Sequence, residues 1–330
     1  MTTGTPSLRI AVLDDYQGVA ARLGPWSSIP DAELTAFADH LDDVDALAER
    51  LAPFDVVCLM RERTRMPAGL LSRLPKLKLI VTAGMWNASL DVGHAVRQGI
   101  AVCGTTSLQS GTPELTWLLL LALARRLPAE LASVAAGGWQ TAVGDELEGR
   151  VLGVLGLGTI GSKVARVANA FGMRVLAWSE NLTAERAAEA GASLVSKDEL
   201  LRSSDYVTVH MKLSPRTRGL IGAREFGLMK RSAFLVNTSR GPIVSEPALI
   251  DALQSGRIAG VGLDVFDVEP LPPDHPLRSL PHVIATPHIG YVTERNYAHF
   301  YAQFVEDILA WIAKAPVRVL DADRSSLQTV

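Results

Sequence analysis

The sequence predicts an α/β protein built from two domains, each containing a doubly wound parallel sheet. The chain has 330 residues, of which 48% are hydrophobic. A chain of this length is ordinarily too long to fold around a single hydrophobic core. Two domains of roughly 150 residues each are therefore expected. Short apolar strands alternate with helical patterns along almost the whole chain, as in parallel sheets whose strands are joined by helices. A strand that runs into a glycine-rich turn and then a helix lies near the middle, at residues 151–171.

Five strand-like segments precede the glycine-rich turn and alternate with helical patterns. The strand-like segments are residues 8–13, 34–38, 56–60, 77–82 and 101–103, and the helical patterns lie near 44–51, 68–74 and 92–98. This succession predicts a first doubly wound domain of about one hundred residues.

Six strand-like segments in the second half predict a second parallel sheet. They are residues 151–155, 173–178, 206–210, 233–237, 260–265 and 283–285, with helices near 184–190, 199–202, 223–229 and 246–254. One long helix is predicted before this sheet, at 113–136, and another after it, at 294–314. Because no strand remains for a third sheet, we expect the last helix to pack on the first domain. The predicted domains are residues 104–290 and a discontinuous domain of residues 1–103 plus 291–330.

Composition argues against several classes of partner. The formal net charge is -3 and no run of basic residues occurs, so neither nucleic acid nor a membrane surface is an expected partner. The longest apolar run, residues 115–123, is too short to span a bilayer. Cys58 and Cys103 have no spacing that would hold a metal, and we interpret both as buried thiols in a reducing compartment. We therefore expect a cytoplasmic protein without a metal site.

Gly156, Gly158 and Gly161 form a G-x-G-x-x-G pattern between a buried strand and a helix. The first glycine permits a tight turn, the second lets a pyrophosphate approach bare backbone, and the third lets the helix pack closely on the strand. Thr159 and Ile160 then begin a helix whose positive end faces the anion. The pattern predicts a dinucleotide-binding domain of the Rossmann type. The alternative is a glycine-rich turn that binds no ligand.

Polar side chains follow three consecutive strands of the second predicted sheet. Arg240, Glu269 and His288 lie beyond the carboxyl ends of these strands, where ligands bind in open parallel sheets. Arg240 can hold a carboxylate or polarise a 2-oxo group, His288 can give a proton to the oxygen as hydride reaches the carbon, and Glu269 can orient the imidazole. Taken singly, Arg240 fits a surface charge, His288 a structural histidine and Glu269 a solvated turn residue. Together they favour hydride transfer to a carbonyl.

The choice between NAD and NADP depends on the residues after the strand at 173–178. An acidic residue there binds the ribose hydroxyls of NAD, whereas an arginine accommodates the extra phosphate of NADP. Ser179 and Glu180 occupy this position, and the next arginine is Arg186. Glu180 would repel a phosphate, so NAD is favoured, with NADP left open because Ser179 tolerates either cofactor.

These motifs resemble the D-isomer-specific 2-hydroxyacid dehydrogenase family. The resemblance is densest over residues 148–289 and looser in the first domain, where it rests on residues 60–64, 83–84, 87 and 91. It implies a flavodoxin-like substrate domain, a Rossmann NAD-binding domain and a cleft between them that closes on substrate. The implied reaction is hydride transfer between NAD(H) and a 2-oxo acid or its D-2-hydroxy acid. The resemblance also implies a homodimer formed through the nucleotide domain.

The same resemblance assigns residues to roles. It implies a catalytic triad of Arg240, Glu269 and His288 in the roles given above. Around the cofactor, it implies that Thr238 and Ser239 line the site and that Asp264 receives the nicotinamide carboxamide.

On the substrate side, the resemblance implies that backbone at Ala83 and Gly84 cradles the substrate carboxylate and that Arg61 lies near the substrate. Trp86 and Tyr291 replace residues that are commonly small in relatives. Both departures count against the small substrates familiar in the family.

Two questions of function stay open at this point. A dinucleotide-sensing corepressor is the alternative from another class, because such proteins share this fold and triad. Among enzymes, oxidation of 3-phosphoglycerate competes with reduction of glyoxylate or hydroxypyruvate.

Overall fold

A computed structural model describes residues 8–321 of the chain. These residues form two compact units. One unit contains the described residues up to Leu108 and from Thr293 onward, and the other runs from Gln109 to Val292. Within residues 8–321, no helix is both long enough and apolar enough to cross a membrane.

The first unit is built on a sheet of five parallel strands in the order β2-β1-β3-β4-β5. The central strands are buried at every residue, as expected for a parallel sheet covered on both faces. This strand order is the flavodoxin-like one, so the predicted fold class is confirmed. The strands are β1 (Leu8–Val12), β2 (Ala32–Ala36), β3 (Val56–Leu59), β4 (Leu79–Thr82) and β5 (Ala101–Gly104).

Four helices of the first unit lie between these strands. Two of them begin at an aspartate whose carboxylate accepts a hydrogen bond from the helix backbone: Asp43 from Ala46 N at 2.8 Å, and Asp91 from His94 N at 2.8 Å. Such caps satisfy backbone groups that the first turn leaves without partners. The helices are α1 (Ala20–Leu23), α2 (Val44–Leu51), α3 (Ala68–Leu71) and α4 (Val92–Arg97).

The second unit is built on a sheet of seven parallel strands in the order β12-β11-β10-β9-β6-β7-β8. The sequence predicted six. The missed strand, β8, has only two residues, both exposed, and so carries no hydrophobic periodicity. The chain reverses its direction of strand addition between β6 and β9, which creates the crevice where such sheets bind ligands. The strands are β6 (Val151–Leu155), β7 (Arg174–Trp178), β8 (Ser193–Leu194), β9 (Tyr206–Val209), β10 (Phe234–Asn237), β11 (Gly260–Leu263) and β12 (Val283–Ala285).

The predicted single helix at 113–136 is wrong, because the structure has two helices there, α5 (Gly111–Ala124) and α6 (Leu127–Ala135). Arg126 separates them in a left-handed conformation, with φ 54°. Pro128 has no N–H and its ring would clash with the carbonyl of Ala124 in a continuous helix. That carbonyl instead accepts a hydrogen bond from Asp145 N at 2.8 Å.

Helices cover both faces of the second sheet and leave its carboxyl edge free for a site. One hydrophobic core includes Leu119 of α5 and Val164 of α7, and the core on the other face includes Leu200 of α9 and Phe226 of α10. The remaining helices of this unit are α7 (Thr159–Ala170), α8 (Ala184–Glu189), α9 (Lys197–Ser203), α10 (Ala223–Leu228) and α11 (Glu246–Gln254).

A long helix, α12 (Glu294–Ile312), completes the first unit. It packs on α1, β4 and β5 through fully buried aromatic side chains, among them Phe300, Tyr301 and Phe304. Thr293 caps its first turn by accepting a hydrogen bond from Asn296 N at 3.2 Å.

Candidate active site

The glycine-rich turn follows β6 and has no room for side chains at two of its three glycines. Gly156 has φ +95°, and a Cβ there would lie 2.5 Å from the carbonyl oxygen of His210. A Cβ at Gly161 would overlap the carbonyl oxygen of Gly156. Gly158 has open space around the position of its missing Cβ. The backbone at Gly158 is therefore accessible to a ligand, while the other two glycines hold the turn against the sheet.

The helix that follows this turn begins without an internal cap. Gly158 is the N-cap of α7, no side chain accepts a hydrogen bond from its first turn, and that turn contains no acidic residue. Thr159 is exposed and Ile160 is partly exposed. The free backbone N–H groups and the positive end of the helix dipole form a site for an anion.

Ser179 and Glu180 follow β7, the strand next to β6 in the sheet. The end of β7 is tied to the glycine turn, since Gly156 N donates to Trp178 O at 2.8 Å. Glu180 is exposed, and Ser179 is partly buried in a turn closed by Leu182 N.

Arg240 follows β10 in a loop held by side chain to backbone hydrogen bonds. Asn237 Nδ2 donates to Arg240 O at 3.0 Å, and Asn237 Oδ1 accepts from Ser239 N at 3.0 Å. Arg240 Nη1 donates to Ser239 O at 2.8 Å. The next residue, Gly241, lies so close to Phe266 that a Cβ would overlap the Phe266 carbonyl. The loop that carries Arg240 is thus packed directly on the loop after β11.

Thr238 and Ser239 lie at the start of this loop with their hydroxyls already engaged. Thr238 is 7% exposed, and its hydroxyl lies 2.8 Å from that of Thr116 in α5. Ser239 Oγ donates to Val209 O, at the end of β9, at 2.6 Å. These contacts join the ends of β9 and β10 to α5.

His288 and Glu269 form a hydrogen-bonded pair. His288 Nδ1 lies 2.6 Å from Glu269 Oε2, and Glu269 Oε1 accepts from Phe266 N at 2.9 Å. The Tyr291 ring meets the imidazole edge to face, with centroids 5.4 Å apart. Because Nδ1 is directed at the carboxylate, Nε2 is the ring nitrogen that can exchange a proton with a ligand.

Asp264, the first residue after β11, anchors the loop that carries His288. Its side chain is buried, and Oδ1 accepts from Thr286 Oγ1 at 2.6 Å and from Ile289 N at 2.8 Å. Oδ2 accepts from Gly290 N at 2.8 Å. Burial raises the pKa of Asp264, and these hydrogen bonds oppose that effect. The sequence interpretation missed this anchoring role, since it needs partners more than twenty residues away.

The sheet order explains why Arg240, Glu269 and His288 belong to one edge. β12, β11 and β10 are consecutive neighbours in the sheet and run parallel. The loops that leave their carboxyl ends are therefore side by side, as the sequence predicted.

The first unit contains the residues assigned to the substrate side. Ala83 N donates to a carbonyl of β3 at 2.9 Å and Gly84 N donates to Thr105 Oγ1 at 2.9 Å. In contrast, the backbone N–H groups of Met85 and Trp86 have no acceptor among residues 8–321. The donors that a ligand could use are therefore one or two residues further along than Ala83 and Gly84.

Arg61 lies beside the same loop. Its backbone is in the left-handed region, with φ 57°, and a Cβ built on Gly84 would lie 3.0 Å from Arg61 Nη1. Asn87, which is 4% exposed, connects the two segments because its Nδ2 donates to Arg61 O at 2.7 Å and to Thr82 Oγ1 at 2.9 Å. Asn87 is a positioning residue that the site predictions did not include.

Comparison with known proteins identifies the family. The family model described as the D-isomer specific 2-hydroxyacid dehydrogenase, NAD binding domain matches residues 117–290. The chain belongs to this family. A glyoxylate reductase from Aeropyrum pernix is 38% identical over 270 residues, which cover 78% of this chain and 81% of that protein.

Two further relatives agree with this assignment. A D-3-phosphoglycerate dehydrogenase from Bacillus subtilis is 38% identical over 272 residues, covering 82% of this chain but only 51% of the relative's length. The chain thus spans about half the length of that enzyme. The solved structure of a phosphoglycerate oxidoreductase from Vibrio cholerae O395 superposes with a TM-score of 0.89 at 36% identity, covering 93% of this chain and 100% of that one.

NAD is the cofactor of this dehydrogenase family member, as the matched NAD-binding domain shows. The residues present fit the group, because Gly158 leaves open backbone and α7 begins without a cap. Neither the family model nor the relatives described above support the alternative of a corepressor.

Proposed function

We propose that this chain catalyses reversible hydride transfer between NAD(H) and a 2-oxo acid or its D-2-hydroxy acid. The observation that supports it most is the pair of His288 and Glu269, 2.6 Å apart, on loops at the same sheet edge as the loop that carries Arg240. A general acid and a permanently charged arginine on one edge are what reduction of a 2-oxo acid requires. When bound, NAD(H) supplies or accepts the hydride.

His288 acts as the proton donor and acceptor in this proposal. Nδ1 donates to Glu269, which fixes the ring and its tautomer, and Nε2 gives its proton to the carbonyl oxygen during reduction and takes one from the hydroxyl during oxidation. Glu269 cannot rotate freely because its other oxygen accepts from Phe266 N at 2.9 Å.

Arg240 binds the substrate through its guanidinium. Its planar set of donors suits a carboxylate and also polarises the 2-oxo group. Asn237 Nδ2 donates to Arg240 O at 3.0 Å. This hydrogen bond fixes the backbone from which the Arg240 side chain extends at the sheet edge.

The cofactor contacts that we propose follow the same edge. Gly156, Gly158, Thr159, Ile160 and Gly161 hold the pyrophosphate. In further contacts, Ser179 and Glu180 bind the ribose hydroxyls, Thr238 and Ser239 line the nicotinamide side, and Asp264 receives the carboxamide while it anchors the His288 loop.

NAD is proposed in preference to NADP. Glu180 is exposed at the end of β7, where its carboxylate can accept from ribose hydroxyls and would repel a 2′-phosphate.

The substrate residues that we propose are Arg61, Ala83, Gly84, Trp86 and Tyr291. The free N–H groups of Met85 and Trp86 make them the donors to the substrate carboxylate, on a turn that Ala83 and Gly84 shape. Two named relatives, a glyoxylate reductase and a D-3-phosphoglycerate dehydrogenase, keep both substrate types as candidates. The proposed domains are residues 1–103 plus 291–330 for the substrate and 104–290 for NAD.

A homodimer formed through the NAD-binding unit is also part of the proposal. Large apolar side chains of α5, α6 and the following loop are exposed, and clustered exposed apolar side chains are typical of protein–protein contacts. They are Leu118, Leu121, Leu127, Leu131, Val134, Trp139 and Val143.

A panel of 2-oxo acids assayed with NADH and with NADPH tests the function. We expect reduction of glyoxylate, hydroxypyruvate or another 2-oxo acid with NADH, and oxidation only of the D isomer of the product. Absence of turnover with every acid in both directions would refute the proposal.

A further inference from the structure

The residues after α12 add to the open edge of the first unit's sheet. Val319 forms an antiparallel bridge with Cys103 of β5. On either side of this bridge, Gly104 N donates to Arg318 O at 3.0 Å and Leu320 N donates to Val102 O at 2.8 Å. We call residues 318–321 the edge segment. It covers the side of β5 that has no other strand.

Arg318 fastens the edge segment to α12. Its Nη2 donates to Gln303 O at 3.1 Å and to Glu306 Oε2 at 3.0 Å, and it lies 3.0 Å from Asp307 Oδ1. Asp307 is completely buried. Because this carboxyl is shielded from water, Arg318 is the group that stabilises it when it ionises.

Leu320 of the edge segment lies beside Gly104, as does the loop that follows β4. A Cβ at Gly104 would lie 2.6 Å from Gly84 O, 3.2 Å from Met85 Cα and 3.3 Å from Leu320 Cδ1. The backbone of Gly84 and Met85 therefore lies directly on Gly104, with Leu320 alongside. Leu320 is 8% exposed and belongs to the core of this unit.

The same loop and Leu320 border a cavity. A cavity of about 340 Å³ is lined by Met85, Trp86 and Asn87, by the start of α4, and by Leu320 and Asp321. Trp86 is 41% exposed. The loop therefore has close contacts on the Gly104 side, whereas on its other side the loop and Leu320 line the same cavity.

We propose that Arg318 and Leu320 are positioning residues for the loop of residues 84–86, which they hold so that the N–H groups of Met85 and Trp86 meet the substrate carboxylate. The inference rests on the proposed function, since it takes this loop as the carboxylate site. Because Leu320 lines the cavity beside the loop, loss of its side chain enlarges that cavity and lets the loop shift into it. The aligned donors are then lost, although no residue that touches substrate has changed.

Leu320→Ala and Arg318→Gln test this proposal, with Arg22→Gln as the control. Arg22 pairs with Glu294 on the exposed surface of the same unit, at 2.8 Å, so its loss removes an ion pair without touching the edge segment. We expect both test variants to raise KM for the 2-oxo acid about five- to tenfold, with kcat and the Kd of NADH within about twofold of wild type. Leu320→Met should restore KM, because methionine fills nearly the same volume.

Hydrogen exchange of the peptide containing Met85 and Trp86, measured without substrate, separates the outcomes. We expect faster exchange in Leu320→Ala than in wild type and in Arg22→Gln. Unchanged exchange would overturn the positioning role, and faster exchange with unchanged KM would overturn the link to substrate. If wild type reduced no 2-oxo acid, the proposed function would fall, and the exchange measurement would still decide whether the edge segment holds the loop.

Discussion

His288 Nδ1 and Glu269 Oε2 lie 2.6 Å apart, and the backbone holds both partners of this short contact. His288 has a left-handed conformation with φ 53°, which is uncommon for residues other than glycine. Asp264 imposes it here by accepting from the two N–H groups that follow His288, at 2.8 Å each. The imidazole is therefore oriented by its loop as well as by its carboxylate partner.

His288→Gln should lower kcat about a hundredfold or more, because the proton donor is lost while the loop contacts of Asp264 remain. Glu269→Gln should have a milder effect, since an amide oxygen can still accept from Nδ1 but carries no charge. Steady-state kinetics measure both effects, and the Kd of NADH from fluorescence titration serves as the control and should stay near the wild-type value. Wild-type turnover in His288→Gln would remove this residue from the chemistry.

Arg240→Lys should weaken use of the 2-oxo acid by about 2 to 4 kcal/mol in kcat/KM, because lysine keeps the charge but loses the planar pair of donors. Arg257→Lys is a matched control in the same unit, since Arg257 is a partly exposed arginine that donates to Gly227 O. The two variants should bind NADH equally well. Equal kcat/KM values for the two variants would show that the guanidinium of Arg240 does not bind substrate.

Local patterns were sufficient to predict the second sheet and its edge. Glycine spacing locates the turn at Gly156, and the apolar strands place Arg240, Glu269 and His288 after three consecutive strands. The errors also have local causes. Pro128 marks the break between α5 and α6, although the apolar pattern continues on both sides of it. The two residues of β8 are too few for any period to appear.

The sequence could not indicate hydrogen bonds between segments that are distant along the chain. The backbone N–H of Gly84 donates to Thr105 Oγ1, twenty-one residues away. The donors that remain for a ligand are therefore those of Met85 and Trp86. Asp264 remains a proposed cofactor ligand, and three donors from the loop of His288 also engage it. Neither pairing follows from residue type or spacing, because each depends on how the loops meet at the sheet edge.

Glu180→Ala should narrow the preference of the enzyme for NADH over NADPH without abolishing activity. The carboxylate is exposed after β7, where it favours ribose hydroxyls and disfavours a phosphate. The ratio of kcat/KM for the two cofactors is the measurement, and Glu185→Ala, at an exposed acid of α8, is the control. A wild-type preference for NADPH would contradict the cofactor assignment.

Sedimentation of the wild-type chain at micromolar concentration should give about twice its mass of 35.4 kDa. Leu131→Glu, at a residue of α6 that is 61% exposed, should shift the protein toward monomer because it places a charge in the apolar contact. Val44→Glu makes the same change at a residue 44% exposed in the other unit and should leave the dimer intact. A monomeric wild type would rule out the proposed homodimer.

The free energy of unfolding of Asp307→Asn, relative to that of wild type, should increase as pH rises. Burial raises the pKa of Asp307 to about 7, against the attraction of Arg318, whereas its value in the unfolded chain is the ordinary 3.8. At pH values between these two pKa values, the Asp307 carboxyl is therefore protonated in the folded state and ionised in the unfolded state. Wild-type stability from this group is complete below about pH 4, falls as pH rises to about 7, and is level above it.

Asparagine cannot ionise, so the stability difference between Asp307→Asn and wild type should grow by about 2 to 4 kcal/mol between roughly pH 5 and pH 8. Denaturant unfolding of both proteins at the two pH values measures it, and any cost of the substitution that does not depend on pH cancels in the comparison. Glu306→Gln, at the exposed neighbour that also contacts Arg318, should show no such growth. A difference that is constant or shrinks with pH would mean that Asp307 is ionised throughout and paired with Arg318 across this range.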